Sequence, residues 1–519
     1  MRVGHVAAHA PGRLYQRRAL RTSAPKEVGP LIAGIGIAAV AYGTKLLVEA
    51  AQSGRAQQVV SQAAEAVRDA ASAAQQRSAS AAASGRKPDA AEPDEAQRRS
   101  SVNAYFTTDV MGVDLGEGAK AWSGASAAIV DSRSARVVEN EQGMRATPSL
   151  VAFTESGDIL VGQPAKKLLF ARGATPVTGF SQMLGLRFDS QEFVELRDAG
   201  AFGKLEVIAD TRERDISDDV DANSRAAAIR VHGLMHRPEE LSSRVLGSLK
   251  GSAEAALGNR VVLSAVIAAP VCASVSTRNA IIAAGKRAGL RRVELIDAPV
   301  AGACAASLEL PTMTDVANLG VYELGGRGFS FSVLERSSAS SPGWSVRAAR
   351  RHTLLGSESF DLAIVDWLAA SFQAEHGIDL SKDHLALQRL HEAAESAKLE
   401  LCSAPQASVS LPFITADAEG PKHLDTSLTR AKLDELIEPV LQHSLTEVDK
   451  TLGDAGMHMT GLDGVLLVGG AARLASVADL VTRHANGVPV HRTDRPEEVI
   501  ALGAAVYAQE LQELEFAAQ

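Results

Sequence analysis

The stretches Val113-Asp114-Leu115-Gly116-Glu117-Gly118, Tyr322-Glu323-Leu324-Gly325-Gly326-Arg327-Gly328 and Leu466-Leu467-Val468-Gly469-Gly470-Ala471-Ala472-Arg473 each carry an apolar strand directly into a glycine turn. Turns without Cβ atoms let backbone N–H groups close on an anion, and a strand end holds them rigidly. The first two are near copies, roughly two hundred residues apart, which suggests a duplicated lobe. Three such turns facing one cleft would hold a nucleotide. The charged positions inside them, Glu117, Glu323 and Arg327, are unsuited to phosphate. That contradiction decides the functional reading.

Composition sets the frame. A chain of 519 residues with 46% hydrophobic content has room for two or more domains and a large core. The net charge of −9 is uneven: residues 1–27 carry Arg2, Arg13, Arg17, Arg18, Arg21 and Lys26 against Glu27 alone, leaving the remainder at −14. An acidic body of that kind argues against nucleic acid as a partner. The three cysteines, Cys272, Cys304 and Cys402, form no CxxC pair, which argues against a disulfide framework or a cysteine zinc site.

The acid-poor, arginine-rich residues 1–27 read as a mitochondrial presequence. Residues 28–51 follow as an expected transmembrane helix, since Pro30–Ala50 would span about 31 Å, close to one hydrocarbon core. Lys45 lies where a lysine reaches the interface, and Gly34, Gly36, Ala39 and Gly43 suit close packing in lipid. Lys26 and Lys45 flank the span on both sides and give no orientation. Residues 52–109, rich in Ala, Gln and Ser, read first as helix and then as flexible tether.

Beyond the tether, residues 110–519 alternate helices and strands. Pro238 opens a helix with Leu241, Val245, Leu246 and Leu249 on one face, ending at Gly258. Val261–Ala268 reads as a buried strand. Ser276 is expected to cap a helix with Ala280, Ile281 and Ala284 inward, stopped by Gly289. Val293–Ile296 is the next strand, Leu385–Leu401 a long amphipathic helix, and Val409–Ile414 one strand of a hairpin. Sheets flanked by helices, entered twice by the same strand-glycine-strand phrase, predict a two-lobed α/β architecture.

Val138-Glu139-Asn140-Glu141-Gln142-Gly143 leading to Thr147-Pro148-Ser149-Leu150-Val151-Ala152-Phe153 resembles the nucleotide-binding domain of the seventy-kilodalton heat-shock chaperones. So do Val161-Gly162-Gln163-Pro164-Ala165-Lys166, the run Leu387-Gln388-Arg389-Leu390 through Glu395, Lys398 and Leu401, the turn Gly420-Pro421-Lys422-His423-Leu424, and Gly503-Ala504-Ala505-Val506. The wording is most similar to the bacterial and mitochondrial (DnaK-type) branch. The resemblance implies an actin-like (ribonuclease H-like) ATPase fold: lobe I at about 110–305 plus a C-terminal helix at 497–519, and lobe II at about 306–496. The family's peptide-binding domain has no counterpart in the sequence, an expectation drawn from the end of the match near Gln509.

What the resemblance implies for the site divides in two. On the adenosine side, Glu395 and Lys398 stand at the adenine-ribose positions, and Gly469, Gly470 and Arg473 at the third turn; Cys402 and Glu497 are mild replacements. With Gly116, Gly325 and Gly326 these are the expected cofactor-binding residues. On the phosphate side, the family's two threonines are Glu117 and Gly118, and its Asn-Glu-Pro turn is Asp297-Ala298-Pro299. In the second turn its aspartate, third glycine, threonine and following aspartate are Glu323, Arg327, Gly328 and Ser330. Only Asp114 and Lys166 remain, as vestigial catalytic residues; Lys166 matches the lysine that orients attacking water. A carboxylate in an anion nest repels phosphate, and too few hard ligands remain for magnesium.

These residues predict a membrane-anchored pseudo-ATPase serving as a structural subunit of a mitochondrial inner-membrane assembly, with a plastid as alternative destination. Binding of ATP or ADP is expected to be weak and no metal site is expected. A regulator that binds co-chaperones of the organellar chaperone and a slow ATP-hydrolysing enzyme are the competing readings. Acquisition of Glu117 and Arg327 in opposed turns further suggests an ion pair in place of the nucleotide, against the alternative of independent drift.

Overall fold

In the computed structural model the described residues are 109–517, apart from 119–123, 132–133, 170, 172, 204, 211–224 and 338–342. The expected presequence, membrane helix and most of the tether lie outside them. Among the described residues no helix is long and apolar enough to cross a membrane.

Two five-stranded sheets form the frame. The first contains β1 (Val110–Asp114), β2 (Ser126–Asp131), β3 (Ser134–Val137), β4 (Ser264–Ala269) and β5 (Arg292–Asp297) in the order β5-β4-β1-β2-β3. The second contains β6 (Asn318–Leu324), β7 (Phe329–Arg336), β8 (Trp344–His352), β9 (Gly464–Val468) and β10 (Val490–Arg492) in the order β10-β9-β6-β7-β8. In each, the first three strands form an antiparallel meander, and the remaining two add in parallel on the other side of the first. The topologies are identical, as the repeated glycine phrase predicts. The central strands read as unbroken apolar runs because helices cover both faces: Val465, Leu466, Leu467 and Val468 of β9 are all fully buried.

The helices divide between the faces. α1 (Pro238–Ala256) buries Leu241, Val245, Leu246 and Leu249, the face its periodicity predicts. α2 (Val275–Arg287) buries Ala280, Ile281 and Ala284, but its N-cap is Ser274, whose hydroxyl accepts from the Thr277 N–H at 3.1 Å, not Ser276. Both serines precede the same apolar face, so the pattern fixes the helix and leaves its first turn open. α3 (Ala298–Glu309) leaves β5, α4 (Glu358–His376) leaves β8, and α5 (His384–Glu400) packs on the hairpin Gln406–Asp417/Gly420–Thr429.

α6 (Arg430–Asp454) packs on α4 and the second sheet. After it and the shorter helix Ala475–Ala485 comes the final helix, Val499–Ala517, which follows β10. The two sheet-terminating helices exchange places. The final helix packs on β1, β2 and β4 of the first sheet, and α3 contacts β6, β8 and β9 of the second. They cross so closely that a Cβ on Gly503 would overlap the Ala301 carbonyl. A shared apolar layer containing Ala268, Ala301, Leu466, Val468 and Ala504 results. The expected lobe boundary near 305 therefore falls inside α3, a helix that serves both lobes.

Candidate functional site between the lobes

The three glycine turns converge, because each leaves the equivalent end of a central strand. Gly116 has φ +55° and would place a Cβ against the Gly124 carbonyl; Gly469 has φ +94° and would place one against the Leu324 carbonyl. Only glycine meets both demands. The leading amides of the turns are already engaged. The Gly116 N–H donates to Asp114 Oδ1 at 3.0 Å, that of Gly325 to the Gly328 carbonyl at 2.9 Å, and that of Gly469 to the Pro496 carbonyl at 2.9 Å.

The sheet register sets the charges. Glu323 on β6 pairs with Ser330 on β7, which pairs with Arg351 on β8. The three therefore stand abreast at the cleft. Ser330 Oγ donates to Glu323 Oε2 at 2.9 Å. The Arg351 guanidinium donates across the cleft to Glu117 Oε1. Burial pushes the Asp114 carboxyl up to about 6, against the Gly116 N–H bond that lowers it and with Glu117 raising it further. Burial likewise pushes Glu323 up to about 7; its bond from Ser330 opposes this and the Asp114 charge adds to it. Desolvation works against the Arg351 charge, but Glu117 outweighs it and the guanidinium is held above its ordinary value.

These groups line a cavity of about 100 Å3, closed on its apolar side by residues such as Leu184 and Phe329. Small-molecule pockets ordinarily offer about 300–1,000 Å3. Ala298, at the start of α3, lines the cavity, and the preceding Asp297 receives the Arg278 guanidinium.

Arg327 turns elsewhere. Its Nε donates to Glu358 Oε2 at 3.0 Å, Nη1 to the Ala201 carbonyl at 3.0 Å and Nη2 to Thr178 Oγ1 at 3.3 Å. The expected pair of Glu117 with Arg327 is therefore not formed. The reason is geometric: Gly179, lacking a Cβ, opens a space that the Arg327 guanidinium enters, while the β7–β8 register brings Arg351 to Glu117. Gly328 also matters here, since a Cβ on it would lie 2.7 Å from Glu117 Oε2.

The residues expected to face adenosine are engaged with protein. Lys166 Nζ donates to both oxygens of Glu395, at 3.0 and 2.9 Å. Lys398 is buried, and its Nζ donates to Oδ2 of the fully buried Asp361 at 2.8 Å. Arg473 Nη1 donates to Glu497 Oε1 at 2.8 Å. Gly470 is buried, beginning the one-turn helix that ends at Arg473. Glu395, Lys398 and Arg473 lie outside the walls of the cavity between the turns.

The partners Arg351, Asp361 and Glu358 stand outside every sequence motif of the site. Arg351 carries a weak signal: as a basic residue on a strand whose register opposes Ser330, it follows once the β6–β7–β8 meander is drawn. Asp361 and Glu358, in the first turn of α4, resemble ordinary helix-start carboxylates.

The family model described as Hsp70 protein matches residues 110–515. The chain belongs to the Hsp70 family. For this Hsp70 chain, the residues present fit a magnesium nucleotide poorly. The Glu117 carboxylate stands in the first glycine turn, where its charge would oppose an incoming phosphate. Among the described residues no group of three or more His, Cys, Asp or Glu is placed to hold a metal ion.

Proposed function

We propose that this chain is a non-hydrolysing member of the Hsp70 family, anchored through residues 30–50 and acting as a structural subunit of a mitochondrial inner-membrane assembly. The observation that carries the non-hydrolysing reading is the Lys166–Glu395 pair. The lysine at the water-orienting position and the acid at the ribose position satisfy each other at 2.9 Å, and the first glycine turn carries Glu117, paired with Arg351. An ATPase of this fold depends on positioning and electrostatic stabilisation of the transferring phosphoryl group. Here the groups that supply both are turned to holding protein together. Any nucleotide competes with those internal pairs and binds weakly.

Membrane anchorage and location rest on the sequence, on the basic residues 1–27 and the apolar residues 30–50. The purified full chain in detergent, assayed for phosphate release from magnesium ATP, tests the enzymatic half of the proposal. Turnover comparable to an ordinary Hsp70 would refute it. Carbonate extraction and affinity capture from mitochondria test the other half: extraction into the soluble fraction with residues 30–50 intact, or recovery without any membrane subunits, would refute anchorage and scaffolding.

A further inference from the structure

The contacts that cross the cleft share a pattern. Glu117 on the first turn meets Arg351 on β8. Arg327 on the second turn reaches the Ala201 carbonyl and Thr178. Lys166 meets Glu395. Gln182 Nε2 donates to the Thr353 carbonyl at 2.7 Å, and Cys272 Sγ to the Ala349 carbonyl at 3.4 Å. In each, one partner lies in the lobe of the first sheet and the other in the lobe of the second. Two involve long charged side chains seated over glycines, Glu117 over Gly328 and Arg327 over Gly179; any side chain at either glycine would collide with its charged neighbour. The Glu117 carboxylate and the Arg327 guanidinium thus each lie directly against a glycine.

We infer that the cleft contains its own clamp: Glu117 is a fixed intramolecular occupant of the phosphate turns and, through Arg351 with Arg327 and Lys166 alongside, holds the lobes closed without a ligand. Glu117 and Arg351 are both largely withdrawn from water, with side chains 22% and 17% exposed. In that setting a charged hydrogen bond is stronger than a surface pair, and removing Glu117 leaves Arg351 only the lesser attraction of Glu192 and Glu323. The interlobe arrangement is thus fixed by the chain and is independent of nucleotide. The inference rests on the non-hydrolysing reading only in that the cleft is not given over to ATP.

The test uses the full chain in detergent with Cys272→Ser and Cys402→Ser, spin-labelled at Leu234→Cys in the first lobe and Leu385→Cys in the second; both leucines are exposed. The expected interlobe distance distribution is single and narrow, and unchanged by magnesium ATP or by chelation. Glu117→Ala, Arg351→Ala and the shape-preserving Glu117→Gln should each raise the open-to-closed ratio roughly 5- to 10-fold. The Glu117→Ala/Arg351→Ala double variant should do no more than either single change.

Distributions that ignore all of these variants, additive effects of the two alanine changes, or lobes that close only with magnesium ATP would overturn the clamp. A chain that releases no phosphate yet is indifferent to Glu117 would refute the clamp and leave the non-hydrolysing reading standing. Phosphate release from lobes that nonetheless open on losing Glu117 would do the reverse.

Discussion

Lys166 Nζ lies 2.9 Å from Glu395 Oε2, and the two residues come from opposite lobes, 229 positions apart in the chain. Their side chains are 23% and 13% exposed, so the pair is screened less than a surface bridge. Lys166→Met and Glu395→Gln should each destabilise the protein by about 1 kcal/mol, and the double variant by no more than the larger single effect. Urea denaturation of the four proteins measures the coupling. Strictly additive losses would show that the two residues do not act as a pair.

A second lysine is more deeply committed. Lys398 and Asp361 are buried with side chains 4% and 0% exposed and meet at 2.8 Å. Asp361→Ala removes the buried carboxylate that accepts from the Lys398 ammonium, and should cost about 3–5 kcal/mol. The apolar pair Lys398→Met with Asp361→Leu should recover most of that loss, because replacing both charges removes the desolvation cost together with the attraction. If Asp361→Ala instead leaves the urea midpoint unchanged, Lys398 is not held by this partner.

The floor of the cleft predicts a pH dependence. Asp114 and Glu323 are raised in the folded state to about 6 and about 7, from ordinary values of 3.8 and 4.5. The folded chain therefore holds protons that the unfolded chain has released across that interval. Linkage makes stability fall as pH rises from about 4 to about 7 and level off above it. Glu323→Gln should flatten the upper part of this slope, and Asp114→Asn the lower part. A slope unchanged by both substitutions would place its origin elsewhere in the protein.

The sequence makes the frame legible because the frame is repetitive. Glycine phrases at strand ends and apolar runs such as Val465–Val468 specify two copies of one meander, and the observed topologies coincide. Within the site, it shows which side chains stand in the turns and not where they point. Glu117 finds Arg351 because register sets Arg351 opposite Ser330, a relation between strands that no local pattern encodes. Arg327 crosses to Ala201 and Thr178 instead of meeting Glu117, because Gly179, nearly 150 positions away, makes room for it. In both cases the deciding term is a long-range steric fit, invisible to periodicity.

Nucleotide binding follows from the same internal pairs. On the proposed reading ATP must compete with Glu395 for Lys166 and with Glu117 for the first glycine turn, and gains little from magnesium where metal ligands are few. Isothermal titration should show weak binding, in the high micromolar range or beyond, that chelation barely changes. Micromolar or tighter binding that collapses on chelation would contradict the arrangement of these residues.

Gly328 closes the second glycine turn against the Glu117 carboxylate. Its backbone is absent from the left-handed region, so a side chain there is conformationally allowed, and what opposes it is the Glu117 carboxylate. A Cβ would sit 2.7 Å from Glu117 Oε2, the movable end of that side chain, so the added bulk shifts the carboxylate and weakens its bond from Arg351. Gly328→Thr alone should therefore cost about 1–3 kcal/mol, as overpacking does. In a Glu117→Thr background the carboxylate is gone and the same substitution should cost much less. Urea midpoints of the two singles and the double give the comparison. An equal cost of Gly328→Thr in both backgrounds would mean that Glu117 does not occupy the second turn, because only a seated carboxylate makes the two positions depend on each other.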